Sequence, residues 1–234
     1  MIKRRGLGHV EAILSFVIFI GFIVFAFVFF SPFESNRTLK STSDYAWREV
    51  SDFSSVDLEI YSVYVAYDNA PALIAIAVVS APAGWNATVE DSSENVVPSY
   101  TDLNGVVHFQ RPVNNFVRIK FGPDFANGSG SAGFLIPIQN YSISSSDAKK
   151  AVSERKLLEL NSTYYSDYIG LKRQFNLPNR VYFGFSATFL DGTKILASRE
   201  IPENAEVLSK SERVAVVRTP SGIVEYAELR VFVW

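Results

Sequence analysis

A chain of 234 residues, 48% hydrophobic and 14% aromatic, is long enough to bury real cores in one large or two small domains. Its net charge of −2 becomes −5 once Lys3, Arg4 and Arg5 are set aside, which argues against nucleic acid as a partner, since a phosphate-binding surface needs a clustered cationic face. Cysteine is absent, which removes disulfides, thiol catalysis and cysteine metal sites.

Met1 to Gly6 is short and basic, and Leu7 to Glu11 leads into an apolar run from Ala12 to Phe30 broken only by Ser15. A helix of about 19 such residues is roughly 28 Å long and matches a bilayer's hydrocarbon core, so a transmembrane helix is expected. The cations precede the run, and the positive-inside rule then places the N-terminus in the cytoplasm and everything after Phe33 outside. The expected localisation is the cell membrane, single-pass, with an extracellular C-terminal domain. Phe29-Phe30-Ser31-Pro32-Phe33 offers no small-x-small cleavage pattern, so the apolar segment is expected to be kept.

The small residue stands before the run instead, as Gly6 directly after Arg4-Arg5, with Glu11 five residues beyond it. This arrangement resembles the class III, prepilin-type signal peptide of type IV pilins, archaeal ones in particular. The resemblance covers residues 1–33 and is only general beyond them. It implies a leader, 1–6, removed by a prepilin-peptidase-like protease between Gly6 and Leu7, with Glu11 as the fifth mature residue. It also implies an assembly helix, 7–33, that packs with copies of itself or related pilins, served by a secretion ATPase and a membrane platform protein. A carboxylate on the apolar side of a membrane helix needs a partner or a proton. In such a filament the partner is the new Leu7 α-amine of a neighbouring subunit. The competing reading is that Glu11 only caps the helix against its macrodipole. Gly8 is a second conceivable cut site, and Pro32 ends the apolar helix earlier than in bacterial pilins.

Beyond the run, 34–56 reads as a linker, with a break at Pro32 and the polar Glu34 to Ser43 and a short helix over Asp44 to Phe53. Strand composition then predicts a β-sandwich-like region at 57–143: Asp57 to Tyr67, Leu73 to Val79, Val106 to Gln110 and Phe116 to Phe121, with a turn at Asn104-Gly105. Gly128 to Gly133 reads as a flexible surface loop. The region 144–234 is expected to complete the domain, with an amphipathic helix over Ser146 to Leu160, a shorter one over Tyr164 to Phe175, and two hairpins. The first hairpin alternates Phe183, Phe185, Ala187 and Phe189 inward and turns at Asp191-Gly192; the second runs from Arg213 to Arg218 and back along Val224 to Trp234. The expected fold class is therefore α+β, an N-terminal transmembrane helix followed by a mainly antiparallel β-rich extracellular domain with one or two helices.

Five glycosylation acceptors follow the apolar run, at Asn36, Asn86, Asn127, Asn140 and Asn161, more than the roughly two that chance supplies in a Ser- and Asn-rich chain. Catalytic chemistry is sparse. His9 and His108 are the only histidines, so no two-histidine metal site is expected in the ectodomain, and neither a Ser-His-Asp arrangement nor a cofactor motif stands out. Asp57/Glu59 and Glu225/Glu228 have the spacing of solvated strand faces. Tyr164, Tyr165 and Tyr168 serve helix-to-sheet packing, or an exposed patch for a glycan or a neighbour. The chain is read as no enzyme, with no metal or cofactor, and as a structural subunit of a pilus-like filament or pseudopilus. The alternative is a membrane-tethered extracellular binding protein that does not polymerise.

Overall fold

The computed structural model describes residues 7–29, 33–66, 71–128, 130–219 and 222–234, with the backbone alone at 7–10, 27–29 and 33–38. Among them are four helices: α1 (Leu7–Phe29), α2 (Phe33–Ser54), α3 (Glu154–Ser166) and α4 (Tyr168–Gln174). The strands are β1 (Ser55–Val65), β2 (Leu73–Ala77), β3 (Asn86–Asp91), β4 (Val96–Val97), β5 (Ser99–Thr101), β6 (Val106–Gln110) and β7 (Phe116–Gly122). They continue with β8 (Phe134–Leu135), β9 (Tyr141–Ser153), β10 (Phe183–Phe189), β11 (Lys194–Ala197), β12 (Leu208–Val217) and β13 (Val224–Val233).

Nine strands form one curled sheet in the order β11-β10-β13-β12-β9-β1-β7-β3-β4, and four form a second, β5-β6-β2-β8. All pairs are antiparallel except β9 with β12 and β2 with β8. The small sheet covers β1, β7 and β3 through a core of Val63, Ile74, Ile76, Phe109, Ile119 and Phe121. At the other end α2, α3 and α4 cover β10 to β13 through a second core that includes Trp47, Leu157, Leu160, Phe183, Phe185 and Leu229. Between the two, Val56, Leu58, Phe125, Ala151 and Val217 fill the inside of the curl. Large apolar side chains alternating along two facing sheets supply the burial that a cysteine-free domain needs.

Strands take 41% of the chain and helices 27%, so the architecture is mainly β and the α+β expectation is corrected. The membrane expectation is corrected as well: among the described residues, no helix is long and apolar enough to cross a membrane. The single-pass, transmembrane and N-in/C-out localisation expectations go with it.

Other local expectations change for tertiary reasons. The helix expected from Ser146 is strand β9 as far as Ser153, because its backbone pairs with β1 along the whole length of that strand, from Ser55 opposite Val152 to Val65 opposite Tyr141. That ladder outweighs a weak local helix preference. Helix α3 starts only at Glu154, with the Ser153 hydroxyl accepting from the Lys156 amide at 3.2 Å. The segment from Phe33 is one 22-residue helix, α2, whose buried stripe of Ser43, Ala46, Trp47, Val50 and Ser54 seats it on β12 and β13. Gly133 is no part of a loose loop: a Cβ there would lie 2.4 Å from the carbonyl oxygen of Ile74, so only glycine lets the chain pass β2 so closely.

Candidate functional site

Leu7 is the first residue of α1, and Gly6 lies outside the described residues. Glu11 sits in the second turn, exposed. Apart from Glu11 and Ser15, the described side chains of α1 are apolar, and most are exposed, Ile13 65% and Phe22 67%. A helix apolar all round cannot be covered by a single groove of its own domain. Helix α2, by contrast, is locked to the sheet and to α3.

The glycosylation candidates differ in what their side chains are doing. Asn36 lies in α2, where only the backbone is described. The Asn86 amide donates to the Phe125 carbonyl at 2.8 Å, and Asn127 both donates to the Thr101 carbonyl and accepts its N–H, each at 3.0 Å. Asn161 lies within α3 with its Oδ1 buried and unpaired. Asn140 ends a 3-10 turn before β9 and is half-buried. A glycan on Asn86 or Asn127 would therefore cost a hydrogen bond inside the domain.

The residues that the sequence offered for chemistry have the following contacts. His108 stacks on Tyr100 with 4.5 Å between ring centroids, accepts the Gly133 amide at Nδ1 (3.1 Å) and lies 3.4 Å from Asp102 at Nε2. Burial pushes the Asp102 carboxyl up, but the amides of Val106 and Asn104 outweigh it, and the group lies below its ordinary range. Glu59 accepts from the Tyr61 hydroxyl, and Glu225 is held by Arg218 at 2.6 Å. Tyr164 and Tyr168 are buried in the helix–sheet core, leaving Tyr165 alone exposed among the three. No group of three or more possible metal-ligating residues occurs among the described residues.

Two clefts were not legible in the sequence. The first, about 440 Å³, lies within the curl of the large sheet. Its apolar end is Leu58 and Ala151; its polar end holds Glu90 against Lys120, with side chains 6% and 11% exposed, and Arg118 3.7 Å from the same carboxylate. Glu90 and Arg118 are direct cross-strand partners on β3 and β7.

The second cleft, about 680 Å³, opens between the 199–207 loop and the ends of β10 and β13. Tyr182 and Trp234 form its wall, Arg180, Arg199 and Glu200 its polar lining. Phe232, Trp234, Tyr182 and Tyr168 stack as a column, with interplanar angles of 19°, 20° and 5° between successive rings. The Lys172 ammonium lies 4.9 Å over Tyr182 and the Arg199 guanidinium 4.3 Å from the centre of Tyr168. Burial lowers the Lys172 pKa, while its Nζ donates to the Asn179 carbonyl at 2.9 Å. The chain matches no protein-family model, no curated protein and no solved structure.

Proposed function

We propose that the chain is a structural subunit of a type IV pilus-like filament or pseudopilus, in which α1 packs among the α1 helices of identical or related subunits. The observation that carries this reading is α1 itself: between Glu11 and Ala26 its side chains are apolar but for Glu11 and Ser15, and most of them are exposed. Contiguous exposed apolar surface of that extent needs a cover, and neighbouring copies of the same helix supply one on every side. Helix α2, fixed to the sheet, then joins the assembling element to a rigid β head.

The partners follow from the resemblance: a prepilin-peptidase-like protease that frees Leu7, and a secretion ATPase with its platform protein. Glu11 then pairs with the Leu7 amine of the next subunit, a partner that exists only after cleavage. Intact-mass measurement and N-terminal sequencing of the protein from its native host test the reading. The expected chain begins at Leu7 and is lighter by about 0.7 kDa, the mass of a six-residue leader and not that of a conventional signal peptide. A mature chain that starts at Met1, or beyond Ser31, refutes it.

A further inference from the structure

We propose that the cleft between Tyr182, Trp234 and the 199–207 loop is a binding site for a carboxylate-bearing sugar, a uronic acid unit in a glycan. The proposal is independent of whether the chain polymerises.

The cleft's size, about 680 Å³, is that of a small-ligand pocket. Its walls are fixed by the fold. Tyr182 and Trp234 exchange both backbone hydrogen bonds, at 2.9 and 3.0 Å, just beyond the last residue pair of β10 and β13, so the two rings are held by a sheet and not by a loop. Tyr182 is 45% exposed and Trp234 9%. The exposed part of the Tyr182 ring offers apolar contact to the C–H face of a pyranose ring.

The polar lining selects the charge. Among the described residues, Arg180 and Arg199, which both line the cleft, have no carboxylate partner, as is also true of Arg173, Arg213 and Arg230, whereas Arg118, Arg155 and Arg218 are paired. The Arg199 guanidinium lies 4.3 Å from the centre of the Tyr168 ring. Two such forks facing one cleft suit a planar carboxylate, which each can bind through two parallel hydrogen bonds. A wholly apolar ligand would strip water from both cations without replacing it. Glu200 opposes a strongly charged dianion and suits a ligand that brings hydroxyl donors as well. One carboxylate, several hydroxyls and an apolar ring face together describe a uronic acid.

The test uses the full chain, kept dispersed in a sugar-free detergent, and follows its three tryptophan indole N–H resonances, from Trp47, Trp85 and Trp234, by NMR. Trigalacturonic acid is expected to shift the Trp234 resonance alone, while a neutral galactose trisaccharide at the same concentration shifts none. In Arg180→Gln/Arg199→Gln the apparent affinity falls at least tenfold, with the Trp47 and Trp85 resonances unmoved as evidence that the fold is intact. Tyr182→Ala, which removes the ring and keeps both cations, also weakens binding. No Trp234 shift up to about 10 mM ligand, roughly the weakest affinity worth the name, overturns the proposal. So does equal binding of the neutral sugar, displacement by inorganic phosphate at equal concentration, or undiminished binding in the double variant.

Discussion

The Thr88 hydroxyl on β3 donates to the carbonyl oxygen of Gly222 at 3.0 Å, joining β3 to the turn between β12 and β13, which stand four and five places away in the nine-stranded sheet. That bond closes the curl. Gly222 belongs to the turn between β12 and β13 and has φ +64°, a conformation open to glycine at little cost. With the turn resting on β3, the sheet wraps its own middle core and leaves the Glu90 cleft inside.

Thr88→Val keeps the shape of the side chain and removes the donor, so the Gly222 carbonyl loses its buried partner. The expected loss of stability is about 1–2 kcal/mol, or a fall in Tm of roughly 2–8 °C for a domain of this size. Chemical denaturation measures the first and calorimetry the second. If Gly222 instead finds water without cost, both values stay at those of the parent and the closing role is lost.

Glu90 and Lys120 are a buried ion pair, and removing one partner is worse than removing both. Glu90→Gln leaves the ammonium enclosed without its carboxylate, the one ion-pair partner that Lys120 has among the described residues. A cost of about 3–5 kcal/mol is expected. The double variant Glu90→Gln/Lys120→Met should recover most of it, because the enclosed charge is gone. Urea denaturation of the four members of this cycle decides: simple addition of the two single losses would mean that the residues do not depend on each other.

The two tyrosine hydroxyls around the peptide of Phe183 make the fold sensitive to alkali. Tyr164 donates to the Phe183 carbonyl at 2.7 Å, while Tyr168 accepts the Phe183 amide at 2.9 Å, and burial raises both phenol pKa values, that of Tyr164 the further. A neutral acid whose folded pKa is raised contributes stability that is complete below its unfolded value, about 10, and is lost as pH climbs toward the folded one. Each such group takes away about 1.4 kcal/mol per pH unit within that window. Lys172 runs the opposite way below it: burial lowers its folded pKa, so stability rises with pH up to its unfolded value near 10.5. Denaturation midpoints should therefore hold or rise toward pH 10 and fall beyond it, and Tyr164→Phe should fall less steeply. An equal slope in that variant would place the alkaline sensitivity elsewhere.

What the sequence made legible was local. Phe183, Phe185, Ala187 and Phe189 alternate, and the turns beside them and before β6 are spelled Asp191-Gly192 and Asn104-Gly105, with φ of +83° and +77° at the glycines. What stayed hidden was non-local. Strand β9 is rich in serine and charge, with no apolar alternation over its first nine residues, and owes its form to pairing with β1. The first half of α2 is polar in sequence, and the stripe that seats it on the sheet includes Thr42, Ser43 and Ser54, which no apolar period reveals. The cleft residues Tyr182, Arg199 and Trp234 come together only because β10 and β13 pair antiparallel and the 199–207 loop folds over their ends. Gly6 and Glu11 are a different case, a short motif whose proposed meaning lies in a partner chain.

That meaning can be tested through Glu11. Glu11→Gln keeps the size of the side chain and removes its charge, so helix formation and cleavage after Gly6 are expected to proceed as in the parent. The lost element is the pairing with the Leu7 amine of a neighbour, which is then enclosed among apolar helices without a counter-ion. An ion left unpaired in this way costs about 3–5 kcal/mol, enough to reduce incorporation into multimers by roughly two to three orders of magnitude. Crosslinking of the processed protein, followed by separation of monomer from multimer, should show the variant accumulating as mature monomer. Glu11→Asp, one methylene shorter but still charged, should restore part of the assembly, which a purely steric defect would not allow. If Glu11→Gln multimerises like the parent, the carboxylate only caps α1, and the chain does not assemble by the pairing proposed for it.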